Sequence, residues 1–122
     1  MVIALLEGND RLINKLKHYH TSDFALPAIV FHELAYGAFN SARVNANLQT
    51  IEALQFVVLE FSKGDAHAAG MVRAALKSSG TPIGPFDVLI AGQALSRKLT
   101  LLTNNIAEFN HVEGLIVENW LG

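Results

Sequence analysis

The segment from Gly84 to Asn105, GPFDVLIAGQALSRKLTLLTNN, constrains the fold of this chain more than any other. Gly84-Pro85 is turn chemistry, and proline suits the first turn of a helix because its missing N–H is not needed there. Asp87 follows in that first turn, where unpaired N–H groups and the helix dipole favour a negative charge. Ile90, Ala91 and Ala94 stand three, four and seven residues beyond it, so they share one helical stripe with the acid. A short break at Arg97-Lys98 leads into the apolar run from Leu99 to Thr103 and a polar exit at Asn104-Asn105. The pattern is half of an α/β unit with a carboxylate at its mouth.

The remaining chain supplies matching pieces. Residues 2–18 carry apolar positions at Ile3, Leu6, Ile13 and Leu16, interrupted by Gly8-Asn9-Asp10, which predicts two short helices and no strand before them. Phe24-Ala-Leu26 is a strand candidate closed by Pro27, with a helix from about Ile29 to Asn40. Asn45 to Leu54 reads as a helix, and Gln55 to Phe61 mixes β-branched and aromatic residues as a strand does. Ser62 and Asp65 have capping-box spacing and start a helix that runs to about Ser78. Leu99 to Thr103 is a third strand, Ile106 to Phe109 a short helical turn, and Leu115 to Glu118 a last small strand. Strands alternating with helices predict a parallel sheet covered on both faces, whose sites gather at the carboxyl ends of the strands.

Two acids stand out in that frame. The neighbours of Glu33 one turn away are Ile29, Val30, Tyr36 and Gly37, and an isolated carboxylate on such a stripe needs an arginine, a hydrogen-bond cage, a proton or a cation. Asp87 heads a second apolar stripe. Against the reading of a shared site stand ordinary alternatives: Asp87 as a helix-start acid, Glu33 paired with Arg43 or a lysine, and Asn105 with Glu108 as a capping box. Asp65 reads as a cap, and Gly92 as a site of close helix packing. The histidines at 18, 20, 32, 67 and 111 have no zinc-ligand spacing.

Bulk properties narrow the function classes. With 122 residues, 51% hydrophobic and 16% charged, the chain predicts one compact domain over residues 1–122 rather than a disordered segment. No apolar stretch reaches the length of a membrane helix, so a cytoplasmic location is expected. The absence of cysteine excludes disulfides and thiolate metal sites, leaving oxygen or imidazole as donors. A formal charge of −2 provides no overall attraction to nucleic acid.

Taken together, LPAIVFHELAYGA at 26–38, GPFDVLIAGQALSRKLTLLTNN at 84–105 with Glu108-Phe109, and GLIVENW at 114–120 resemble the PIN-domain ribonucleases, specifically the toxin subunits of VapBC toxin–antitoxin pairs. The resemblance implies a Rossmann-like α/β/α sandwich with a mostly parallel sheet, in which acids hold Mg²⁺ or Mn²⁺ and cut RNA. By position, Glu33 matches the acid of the family's ELxxG helix and Asp87 that of its GxxD block, which makes both metal ligands and catalytic residues. Asn105 stands where many relatives have Asp, as a third catalytic contact. The implied partners are a VapB-like antitoxin, an RNA substrate and a second copy of the chain. Relatives open with a short strand ending in Asp-Thr-Asn, and this chain begins after that motif. The first strand and its acid are therefore expected to be missing, with a non-cutting antitoxin-binding or dimerisation module as the alternative function.

Overall fold

The computed structural model describes residues 2–4 and 23–119. Its elements are β1 (Val2–Ala4), β2 (Phe24–Pro27), α1 (Ala28–Phe39), α2 (Val44–Ala53), β3 (Val57–Leu59), α3 (Lys63–Ser78), α4 (Pro85–Ser96), β4 (Thr100–Leu102), α5 (Ile106–Phe109) and β5 (Val117–Glu118). The five strands form one sheet in the order β3-β2-β1-β4-β5, and every pairing in it is parallel. From β1 the chain steps outward to β2 and β3, then returns to β4 on the other side of β1. Right-handed crossovers in opposite directions put their helices on opposite faces, which gives the α/β/α layering that the sequence predicts.

The expectation of a missing first strand is corrected. Val2–Ala4 is not helical but the central strand, with Val2 opposite Phe24 on one side and Val2, Ile3 and Ala4 opposite Thr100, Leu101 and Leu102 on the other. A short apolar run does not distinguish helix from buried strand by period, and here the hydrogen-bond ladders on both edges decide. The turn and second helix expected over 8–18, along with Glu7, Asp10, His18 and His20, lie outside the described residues.

The core lies where the sheet meets the helices. Phe24, Val30, Ile90, Leu101, Leu102 and Phe109 are almost completely buried in one cluster, each large apolar side chain stabilising the fold by about 1.5–3 kcal/mol. In α4, Val88, Ile90, Ala91, Gly92, Gln93 and Ala94 are all buried, as expected of a helix covered on several sides. It packs against α3, α1 and β4. Contact between α3 and α4 is unusually close at Gly92, where an added Cβ would fall 2.5 Å from the backbone nitrogen of Ala69.

A polar lock joins the same two helices. Ser62 and Asp65 form the capping box that their spacing predicts, with Ser62 N–H donating to Asp65 Oδ2 at 2.9 Å and Asp65 N–H to Ser62 Oγ at 3.2 Å. Asp65 is also buried, at 1% exposure, and accepts from Gln93 Nε2 at 3.1 Å and Arg97 Nη2 at 3.0 Å. Gln93 and Arg97 both reach the Glu60 carbonyl as well. Burial opposes ionisation of Asp65, but the hydrogen bonds from Arg97, Ser62 and Ser96 outweigh it and hold the carboxyl well below the usual range. Its folded pKa therefore lies below its unfolded value of roughly 3.9, so its contribution to stability is complete above that value and is lost as pH falls through it. Asp65→Asn is expected to lower the urea midpoint at pH 7 and to flatten the loss between pH 7 and pH 3. An unchanged acid-side slope would contradict that role.

Candidate active site

The carboxyl end of the sheet is where the predicted site residues are carried. Between β1 and β4 the strand order reverses direction, and crevices at such a point are where parallel α/β folds place their sites. β2 runs straight into α1, with Pro27 serving as the last strand residue and the N-cap. Thr103, Asn104 and Asn105 lead out of β4, and the N-terminus of α4 lies against this exit.

That last contact is made by Glu108. Its Oε1 accepts the Gly84 N–H at 3.3 Å, while its Oε2 accepts from Asn105 Nδ2 at 2.7 Å. Gly84 is the N-cap of α4, with Pro85 at the first helical position. Asp87 turns back toward the same residue: a Cβ on Gly84 would stand 3.2 Å from Asp87 Oδ2. Two carboxylates thus flank one glycine at a helix N-terminus, where the dipole lowers the cost of negative charge. A side chain at position 84 would crowd Asp87.

Asn105 takes a different role from a capping residue. Its side chain makes no cap hydrogen bond to α5, and Asn105 meets Glu108 side chain to side chain while its own N–H donates to Thr103 Oγ1 at 3.0 Å. Thr103 is buried at 1% exposure, so the bend after β4 is fixed from beneath. Asn105 itself is exposed.

Glu33 is half-buried on α1. Its stripe is buried at Val30 but open at Tyr36, which is 56% exposed, so the acid sits at the border of the core rather than inside it. Among the described residues it has no ion pair with Arg43. Helices α1 and α4 are in contact, and the His32 and Phe86 rings meet edge to face with centroids 5.6 Å apart. Glu33 and Asp87 are the next residues along their helices, so this ring contact brings the two acid-bearing turns together. Asp87, Asn105 and Glu108 converge through Gly84, and Glu33 lies on the neighbouring helix, one residue beyond His32. Sequence reasoning weighed Glu108 only as a cap partner for Asn105. The link to Gly84 spans 24 positions, and no local spacing reports it.

The donors available here are oxygen atoms, which suit hard divalent cations. Among the described residues no group of three or more histidine, cysteine or acidic side chains is close enough together to enclose a metal ion.

A family profile described as the PIN domain matches residues 2–115. The chain belongs to the PIN-domain family. Within that family it is 39% identical over 120 residues to the tRNA(fMet)-specific endonuclease VapC of Salmonella typhimurium, covering 97% of this chain and 91% of that protein. It is 36% identical to ribonuclease VapC2 of Rickettsia felis, covering 98% and 91%. Among solved structures, the toxin–antitoxin complex VapBC of Salmonella typhimurium bound to DNA contains a chain that superposes with a TM-score of 0.84 at 29% identity, covering 98% of this PIN domain and 99% of that chain. A chain of VapBC-1 from nontypeable Haemophilus influenzae superposes with a TM-score of 0.83 at 28% identity, over the full length of both. The Rossmann-like reading and the resemblance to VapC ribonucleases are thereby established for this PIN domain.

Proposed function

We propose that residues 1–122 form one PIN domain acting as a metal-dependent endoribonuclease, the toxin half of a toxin–antitoxin pair. The observation that carries the reading is the meeting of Asp87 and Glu108 at Gly84, beside the exit of β4 and next to the turn that bears Glu33. Its support in kinship is that relatives over nearly the whole chain are named ribonucleases.

Asp87 and Glu33 are the residues that would hold Mg²⁺ or Mn²⁺, with Asn105 as an outer contact. A pair of carboxylates fits Mg²⁺, which keeps several waters and is commonly held by one or two acids. When bound, such a cation lowers the pKa of a coordinated water and neutralises phosphate charge in phosphodiester hydrolysis. Glu108 acts through others: by accepting from Gly84 N–H and Asn105 Nδ2 it fixes the start of α4, and with it the placement of Asp87. Precision of this kind matters because a displacement of about 1 Å at a reacting centre can cost roughly 10²-fold in rate.

The partner implied is a small VapB-like antitoxin, since the structural relatives are toxin–antitoxin complexes. A homodimer and a cytoplasmic location complete the proposal. Among the described residues no helix is long and apolar enough to cross a membrane.

The shared site is tested by calorimetric titration with Mn²⁺. Partners of metal ligands typically contribute 10- to 100-fold in affinity, so removal of a ligand by Asp87→Asn or Glu33→Gln is expected to weaken binding by about tenfold or more. Unchanged binding in both variants would remove the shared-site reading.

A further inference from the structure

The acids at the proposed site are accompanied by aromatic rings that the core does not use. Phe86 is 46% exposed although it lies in the first turn of a helix whose later residues are buried. Its visible partner is the exposed His32 ring, set edge to face across the gap between α4 and α1. Tyr36, 56% exposed, follows one turn after His32, and residues four apart on a helix are surface neighbours. The rings therefore form a short row along the junction of α1 and α4. Phe86 precedes Asp87 and His32 precedes Glu33.

A phenylalanine left 46% exposed at a helix start gives only part of its area to stability, because the rest stays in water. Its chemistry is that of a platform: flat, apolar and steadied from one side by a second ring. Unpaired nucleobases present flat faces of the same size and stack on such rings regardless of sequence. The formal charge of −2 also means that this chain has no overall electrostatic pull on a polyanion. Stacking on a ring supplies a binding contribution that does not depend on counterion release.

We propose that Phe86, backed by His32, is a stacking subsite for an unpaired base next to the phosphate that is cut, with Tyr36 continuing the row toward a neighbouring nucleotide. The proposal rests on the ribonuclease reading above and adds a binding subsite for an unpaired base, which a duplex, its bases already stacked on one another, would not fill. Phe86 is a binding residue here and takes no part in bond breaking.

The test uses the full chain with EDTA present to prevent cutting, and a short single-stranded oligoribonucleotide carrying 2-aminopurine, whose fluorescence is quenched on stacking. The native chain is expected to quench it saturably. Base–aromatic stacking removed by truncation typically weakens binding by roughly 5- to 100-fold, so Phe86→Ala should raise the Kd within that range and lose most of the quenching. Phe86→Leu keeps apolar contact with His32 but lacks the π face and should lose the quenching too, whereas Phe86→Tyr should retain it. The loss should be similar at low and high salt. With metal present, Phe86→Ala should raise KM more than it lowers kcat. Saturable binding without quenching, or equal quenching by native, Ala and Leu chains, would overturn the subsite. If the native chain cuts RNA while Phe86→Ala leaves KM unchanged, the subsite fails and the ribonuclease reading stands. If the native chain neither binds nor cuts, both fail. Thermal unfolding of each variant separates these outcomes from misfolding.

Discussion

Asp87→Asn is expected to reduce RNA cleavage by at least about 10²-fold while leaving the fold in place. The change conserves shape and removes one negative charge from the first turn of α4. Its structural cost includes the lost charge–dipole term, typically 0.3–1 kcal/mol, while the buried residues of that helix lie farther along, at Val88 and beyond. The functional cost is larger, since the proposed site relies on the Asp87 carboxylate as a cation ligand, and misplacement by about 1 Å already costs roughly 10²-fold. Initial cleavage rates at saturating Mn²⁺, with melting curves of both chains, read the two effects separately. A variant that cuts within a few-fold of the native rate would show that Asp87 is a helix-start acid and no more.

Gly92→Ala is expected to destabilise the protein by about 2 kcal/mol or more. Taken alone, alanine inside a helix is favoured over glycine by roughly 1 kcal/mol, so an open site would make the variant more stable. Here the new methyl would lie 2.5 Å from Ala69 N and 2.6 Å from Ala69 Cβ. Backbone cannot yield as a flexible side chain can, and overpacking of this kind typically costs 1–3 kcal/mol or more. Forcing α3 from α4 would also stretch the Asp65–Gln93 and Asp65–Arg97 contacts. A fall in melting temperature of several degrees is predicted. Adding Ala69→Gly should restore part of it, because one methyl is removed while the backbone contact remains. A rise in melting temperature would contradict the close packing.

What the sequence discloses and conceals follows from the range of each interaction. Helix starts marked by local chemistry are legible: Ser62 caps α3 where its spacing with Asp65 says, and Gly84-Pro85 opens α4. The stripe of Ile90, Ala91 and Ala94 is fully buried, because periodicity on a long helix reports its covered face. The strand expected over 55–61 is shorter, at Val57–Leu59. Gln55 has a left-handed φ of 51° and the Glu60 carbonyl accepts from Gln93 and Arg97 instead. β1 has no strand signature of its own in the sequence, since only its neighbours β2 and β4, far along the chain, reveal its pairing. For the proposed site, Asp87 and Glu33 stand out in the sequence as acids on apolar stripes. The brace from Glu108 to Gly84 and the ring contact of His32 with Phe86 do not, as both join elements that are distant in sequence.

The reading proposed for this PIN domain is an RNA-cutting enzyme that depends on a divalent cation held by acids near the β4 exit. It is tested most directly by incubating the unaltered chain with a mixed pool of RNAs, with Mg²⁺ or Mn²⁺ in one arm and EDTA in the other. The account predicts discrete cleavage products with metal and intact RNA with EDTA. Intact RNA in both arms, from a chain shown to be folded by its melting curve, would contradict it.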